Sequence, residues 1–184
     1  WYQGGISVFD WTDPAHPKEI AFFDRGPVDA TKMEDGGSWS AYWYNGVIVS
    51  SEISRGLDIL ELQPSGLLSE NEIAAAKLVH ADYFNPQDQP KIVWPASFVV
   101  ARAYLDQLAR SGGLTTQEVA ATGEALARAE RLSGGPRHDA LTGLATRLGT
   151  DAQGSSDAAK VRTLAATVAG LETTAADSPR RGDR

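Results

Sequence analysis

The sequence of 184 residues contains no cysteine. This absence excludes disulfide bonds, a thiolate nucleophile and any zinc or iron–sulfur site built on cysteine. The three histidines, His16, His80 and His138, lack the His-x-x-x-His spacing that brings two imidazoles to one metal, and no Gly-x-Ser-x-Gly motif marks a serine nucleophile. The sequence therefore predicts no metal, no cofactor and no catalytic residue.

Long apolar runs are also missing, since none approaches the roughly 18 residues of a transmembrane helix.

Positive charge is scarce in the first half: residues 1–95 carry 6 basic and 14 acidic side chains, whereas residues 96–184 carry 11 basic and 10 acidic side chains. An acidic surface repels a phosphate backbone, so nucleic acid is excluded as a partner of the first half. Aromatic residues beyond Pro95 are limited to Phe98 and Tyr104, and this shift predicts two regions of different class.

Five short apolar runs between residues 6 and 62 alternate with turn sequences, and this pattern predicts antiparallel strands. The runs are Ile6–Trp11, Glu19–Asp24, Trp39–Tyr44, Val47–Ser51 and Leu57–Leu62. The dipeptide Asn45-Gly46 predicts a tight type I′ hairpin, because both central residues of that turn need positive φ. The polar connection 26–38 contains acidic residues that are candidate calcium ligands. Their spacing lacks the alternation of an EF-hand loop, so we expect a solvated loop there.

The segment Ile6–Ile20, with the sequence ISVFDWTDPAHPKEI, resembles the LVIVD repeat of bacterial extracytoplasmic β-propellers. In that repeat, a strand ending in aspartate leads into an Asp-Pro-x-x-Pro turn. These residues also favour such a turn on physical grounds, since the Asp13 side chain can accept hydrogen bonds from backbone N–H groups and Pro14 fixes its own φ. The segment Gly56–Leu62 is similar to the same strand, but Gln-Pro-Ser-Gly follows it in place of Asp-Pro, so the repeats are expected to end there.

This resemblance covers about a third of the chain and implies incomplete propeller blades in an extracytoplasmic protein. A propeller needs about four blades of four strands each, so five strands are expected to require further blades or another subunit beside their open edges. Accordingly, we expect the chain to be the C-terminal piece of a longer protein, and residues 1–95 alone to aggregate or to be poorly ordered.

Helical signals begin after Pro64. The segment Ser69–Glu72 has the pattern of a capping box and predicts a helix to about Val79. The stretch Asp82–Pro95 combines three prolines with apolar residues, so we expect it to pack in extended form along the sheets.

Beyond Pro95, apolar residues recur at helical spacing and predict three or four helices around one small core. The four series are Phe98, Ala101, Leu105 and Leu108; Val119, Leu126 and Ala129; Leu141, Leu144 and Leu148; and Val161, Leu164, Val168 and Leu171. Breaks are predicted near Gly112, near Gly134 and over 149–157, and a capping box at Thr115–Glu118 begins the second helix. The abundant alanine buries little area, so only marginal stability is expected.

The predicted fold class is α+β, with a mainly β N-terminal part of incomplete propeller blades and an all-α C-terminal part. The expected regions are 1–62, the blades; 63–95, a capping helix and a packing segment; 96–172, a helical bundle; and 173–184, a disordered tail.

The best binding candidates are aromatic and charged residues around the predicted hairpin. They are Trp39, Tyr42, Tyr44, Glu52 and Arg55, with Trp43 beside them. Alternation is expected to send Tyr42 and Tyr44 to one face and Trp39 and Trp43 to the other, and tyrosine and tryptophan suit recognition surfaces. The alternative is packing of the rings between blades, together with a local ion pair between Glu52 and Arg55.

Two functional hypotheses follow from these patterns. The first is a non-enzymatic extracytoplasmic scaffold or subunit of an envelope assembly, which binds a protein partner or further blades and uses the helical region for docking. The second is a propeller hydrolase or lyase whose active residues lie mostly in other blades. The absence of a catalytic cluster in the sequence favours the first hypothesis.

Overall fold

The structure is a computed structural model that describes residues 3–88 and 91–174. The chain divides between Val93 and Trp94 into two compact units. Within the described residues, the first unit contains all the strands and one short α-helix, and the second contains four longer helices. The predicted α+β class is therefore confirmed. A closed propeller is not seen within the described residues.

Five strands form two small antiparallel sheets in the first unit. They are β1 (Ile6–Asp10), β2 (Lys18–Phe23), β3 (Ser38–Tyr44), β4 (Val47–Glu52) and β5 (Gly56–Leu60). Strands β1 and β2 pair with each other, and β4 lies between β3 and β5. The five predicted strands are confirmed, although β5 ends two residues before the predicted Leu62.

The two faces of the three-stranded sheet differ because side chains alternate along β4 and β5. Ile48, Ser50, Glu52 and Asp58 are buried on one face, which we call the inner face. The register places Tyr42, Val49 and Ile59 side by side on the opposite face, together with Tyr44 and Leu57, and we call this the outer face.

The predicted hairpin at Asn45-Gly46 is confirmed, with φ of 47° at Asn45 and 94° at Gly46. The Asn45 side chain also binds the backbone beyond the first helix. Its Nδ2 donates to the Ala81 carbonyl at 3.0 Å, and its Oδ1 accepts the Ala81 N–H at 2.8 Å. Hence Asn45 sets the turn and attaches the segment around Ala81 to it.

The first helix, α1 (Glu70–Ala76), begins at the predicted capping box. The Ser69 hydroxyl accepts the Glu72 N–H at 3.1 Å, and the Ser69 N–H donates to the Glu72 carboxylate at 2.7 Å. Among its described residues, the following segment contains only a 3-10 turn at Pro86–Asp88. It differs from the prediction because Tyr83 and Val93 are exposed rather than packed. The prolines prevent the regular hydrogen bonding that would hold these side chains in place.

The second unit consists of α2 (Phe98–Ser111), α3 (Thr116–Arg131), α4 (Gly134–Asp151) and α5 (Ala158–Thr174). The helical region and the capping box at Thr115 are confirmed. The prediction of a loop over 149–157 is wrong at its start, because α4 continues through Gly149. Burial of Leu148 offsets the roughly 1 kcal/mol that a helical glycine costs. Helix α5 includes residues 173 and 174 of the predicted tail, and residues 175–184 lie outside the described residues.

A leucine-rich core holds the four helices together. Each helix contributes fully buried side chains, among them Leu108 of α2, Leu126 of α3, Leu148 of α4 and Leu164 of α5. These positions belong to the predicted apolar series, so the side of each helix that faces the core follows from the sequence periodicity.

The core should respond strongly to a cavity at Leu108. We expect Leu108→Ala to lower the free energy of unfolding by about 2–5 kcal/mol, because it removes methyl groups from a fully buried site. The measurement is chemical denaturation followed by circular dichroism at the helical band. Leu132→Ala, at a partly exposed leucine just after α3, is the matched control and should cost under about 1 kcal/mol. Equal losses in the two variants would contradict this assignment of the core.

The two roles of Asn45 can be separated by substitution. Asn45→Gly keeps positive φ available but removes both hydrogen bonds to Ala81, so it should cost about 1–2 kcal/mol. Asn45→Ala should cost about 1 kcal/mol more, because alanine also resists positive φ. Thermal unfolding of the two variants measures the difference, and equal stability would show that the turn conformation contributes nothing.

Candidate functional site

The five predicted binding residues do not form one site in the structure. Tyr42 and Tyr44 share the outer face as expected, opposite Val49 and Val47 of β4. Tyr42 is exposed, while Tyr44 is half-buried and its hydroxyl lies 3.4 Å from the Asp82 carbonyl, to which it donates. Of the two rings, only that of Tyr42 is open for contact with another molecule.

Trp39 lies in a β-bulge of β3. The register shifts between Ser38 and Ser40, so Trp39 has no partner of its own on β4. Its side chain is 69% exposed, whereas Trp43 is half-buried on the side of the sheet that carries Ile48. The sequence pattern does not mark this extra residue, and the expectation that Trp39 and Trp43 share a face stays a prediction.

Glu52 is the last residue of β4 and is 5% exposed on the inner face. Its carboxylate accepts the N–H groups of Gly37 at 2.7 Å and Ser54 at 2.9 Å, and it also accepts the Arg55 N–H. The Arg55 guanidinium donates to the same carboxylate at 3.2 Å. One buried charge therefore organises both the turn before β5 and the connection before β3.

These hydrogen bonds also explain the acidity of the group. The pKa of Glu52 lies below its ordinary value of 4.5, chiefly because the Gly37 N–H donates to the carboxylate, with further contributions from Arg55 and Ser54. Arg55 also reaches the Pro27 carbonyl at 3.4 Å. Both charged candidates are thus engaged within the protein, as the local ion-pair alternative proposes.

A second buried charge on the inner face was not among the predicted site residues. Asp58 of β5 accepts from the Arg25 guanidinium at 2.5 Å, and Arg25 also lies over the Phe23 ring at 5.3 Å from its centre. The other carboxylate oxygen of Asp58 is buried and has no hydrogen-bond partner among the described residues. Because Arg25 and Asp58 are 33 residues apart, only the tertiary structure brings them together.

Two strongly exposed aliphatic side chains lie on the outer face of the three-stranded sheet. Leu57 is 63% exposed and Ile59 is 64% exposed, and Tyr42 lies across β4 from Ile59. Sequence reasoning placed Leu57 and Ile59 in a strand but did not name them as contact residues. In the sequence, the available signal was that Leu57 and Ile59 alternate with Asp58 and Leu60 along the strand. In the structure, Asp58 is buried and Leu60 is half-buried.

Within residues 3–88 and 91–174, no group of three or more histidine, aspartate or glutamate side chains is arranged to hold a metal ion. No helix of the described chain has the length and apolarity needed to cross a bilayer. Comparison of the chain with protein families, with curated proteins and with solved structures finds no match.

The lowered pKa of Glu52 predicts a specific dependence of stability on pH. A group whose pKa is lower in the folded state stabilises the fold above its unfolded pKa, near 4.5, and loses this effect as pH falls through the folded pKa. We expect Glu52→Gln to lower Tm by several degrees at about pH 7, and the gap to the native protein to narrow progressively as the pH falls below the ordinary pKa of 4.5.

Thermal melts of both proteins across this range measure the gap. Glu34→Gln, on an exposed loop residue, is the control and should leave Tm unchanged at every pH. A gap that persists unchanged in acid would show that the Glu52 carboxylate does not carry the effect.

Proposed function

We propose that the chain is part of an extracytoplasmic, non-enzymatic β-propeller of the LVIVD type that works as an interaction scaffold. In this proposal the two sheets are parts of consecutive blades, and the outer face of β3–β5 packs against another sheet. The location and the propeller architecture rest on the resemblance of Ile6–Ile20 to the repeat, together with the order of the five antiparallel strands.

The observation that carries the proposal is the apolar outer face. Tyr42, Leu57 and Ile59 present exposed apolar surface on one side of a three-stranded sheet, whereas Ile48, Ser50, Glu52 and Asp58 are buried on the other side. Blades of a propeller bury both faces of each sheet against their neighbours. A sheet with one apolar face left open is therefore suited to stack against another sheet.

The engagement of Glu52 and Arg55 within the protein fits the same role. A binding or catalytic site needs polar groups that are free to meet a ligand, whereas the Glu52 carboxylate already accepts four hydrogen bonds from its own turn and loop. These groups shape the sheet, and its apolar outer face supplies the contact surface.

In this proposal the helical unit is the docking module of the assembly. Its support is a core of its own, built from leucines of all four helices α2–α5. A unit with a separate core can be joined to a scaffold without contributing to the sheets.

The proposal predicts that the outer face drives association. In sedimentation velocity across a concentration series, the 184-residue chain should associate, and Leu57→Lys combined with Ile59→Lys should shift it to monomer. Both side chains are already exposed, so the double variant should fold with an unchanged circular dichroism spectrum.

Met33→Lys is the matched control, because Met33 is 93% exposed on the connection between β2 and β3 and lies outside the outer face. It should associate like the native chain. A native chain that stays monomeric at every concentration, or a Met33→Lys variant that dissociates equally, would contradict the proposal.

A further inference from the structure

Exposed aromatic rings lie together on the two-stranded sheet of the N-terminal unit. Phe9 is 43% exposed, Trp11 61% and Phe22 75%. The ring centres of Phe9 and Trp11 are 6.2 Å apart, and their planes are tilted by 50°. We call the side of the sheet that carries these rings the aromatic face. Exposed apolar rings that cluster in this way mark a contact surface.

The strand register places a carboxylate on the same face. Phe9 pairs with Glu19, and cross-strand partners lie on the same side of a sheet. Ser7, two residues before Phe9, pairs in the same way with Phe22. Ile20 has no partner on β1, and this bulge brings Glu19 and Phe22 to the same side although they are three residues apart. Glu19 is therefore the direct neighbour of the Phe9 ring.

The Glu19 carboxylate is not neutralised by a cation of the N-terminal unit. It is exposed, and it takes part in no hydrogen bond or ion pair among residues 3–88 and 91–174. Lys18 is the register partner of Asp10 and belongs to the opposite side of the sheet. Arg25 donates to Asp58 at 2.5 Å. A negative charge thus lies unpaired beside exposed aromatic rings.

An open groove next to these residues is also acidic. Its volume is about 510 Å³, and its lining includes Ser7, Glu19, Phe22 and Asp24. Within the described part of the chain, no lysine, arginine or histidine lines it. Residues 1–95 as a whole carry 6 basic and 14 acidic side chains. The charge around the aromatic face therefore attracts a cationic partner and repels an acidic one.

Among cationic groups, a guanidinium matches this arrangement best. The faces of aromatic rings are electron-rich and attract a cation that lies over them. A guanidinium is planar, so it stacks on a ring while its N–H groups reach a carboxylate at the edge. An ammonium group is a compact point charge and cannot make both contacts through one plane.

The open shape of the face favours a protein segment over a small molecule. Small-molecule sites enclose most of their ligand, whereas a free cation on this sheet would be contacted from one side only. An extended segment can instead cover the face along its length, with its side chains spaced like those of the strands beneath.

We propose that the protein segment that covers the aromatic face carries an arginine. Its guanidinium lies over the rings of Phe9 and Trp11 and pairs with the Glu19 carboxylate. This inference rests on the proposed scaffold role, since that role calls for a protein partner, and it states the chemistry by which the partner is recognised.

Two peptides that differ only in charge test the proposal on the full chain. In ¹H–¹⁵N NMR, acetyl-Thr-Val-Arg-Val-Thr-amide should shift the indole N–H signal of Trp11 and the amide signal of Glu19 in a saturable manner. The indole signal of Trp39, an equally exposed ring on the other sheet, should stay in place. The same peptide with citrulline instead of arginine has the same shape without the charge, and it should shift none of these signals.

Matched substitutions test the two contacts separately. Glu19→Gln should weaken binding of the arginine peptide about three- to five-fold, and Glu34→Gln, at another exposed carboxylate, should leave it unchanged. Trp11→Ala should weaken binding about five-fold, whereas Trp39→Ala should not.

Failure of this inference can be told apart from failure of the proposed association through the outer face. The Leu57→Lys and Ile59→Lys double variant should bind the arginine peptide like the native chain, because its substitutions lie on the other sheet. Loss of peptide binding in that variant would overturn the inference. Absence of binding, equal binding of the citrulline peptide or equal weakening in a matched pair would do the same. Ethylguanidinium binding as tightly as the arginine peptide would overturn it in favour of a small-cation site.

Discussion

Strand β4 is the element on which the N-terminal unit depends. It is the central strand of its sheet, and its alternation decides which face is buried and which is open. Ile48, Ser50 and Glu52 point inward, while Val49 lies between Tyr42 and Ile59 on the outer face. A shift of one residue in the register would exchange the two faces and bring the exposed apolar side chains inward.

The carboxylate of Glu52 joins this strand to its surroundings. It accepts hydrogen bonds from the turn that leads to β5 and from Gly37, just before β3. One buried charge therefore holds two connections of the sheet in place. Gly37 has a φ of 99°, and a Cβ there would come within 2.8 Å of the backbone of Gln3 and Gly4. The close approach needs glycine, and the bond that the Gly37 N–H donates to Glu52 stabilises it. A buried charge with four hydrogen bonds is a structural anchor, and the exposed side chains of Tyr42, Leu57 and Ile59 lie on the other face of the sheet.

The helical unit follows simpler physics. Leucines at helical spacing on α2–α5 form one core, and caps at Ser97 and Thr115 satisfy backbone N–H groups at two helix starts. Local rules of this kind act within one or two turns, so the sequence pattern predicts the helices well. The exception is the end of α4, where the tertiary burial of Leu148 overrides the local preference of Gly149.

By itself the sequence determined the α+β class, the five strands, the Asn45-Gly46 turn and the helix caps, because each depends on residues a few positions apart. The tertiary structure alone decided the bulge at Trp39, the burial of Glu52 and the pairing of Arg25 with Asp58. It also decided the bulge that brings a carboxylate to the aromatic face. These features depend on register and on contacts between residues distant in sequence, and alternation along one strand cannot specify which segment packs against it.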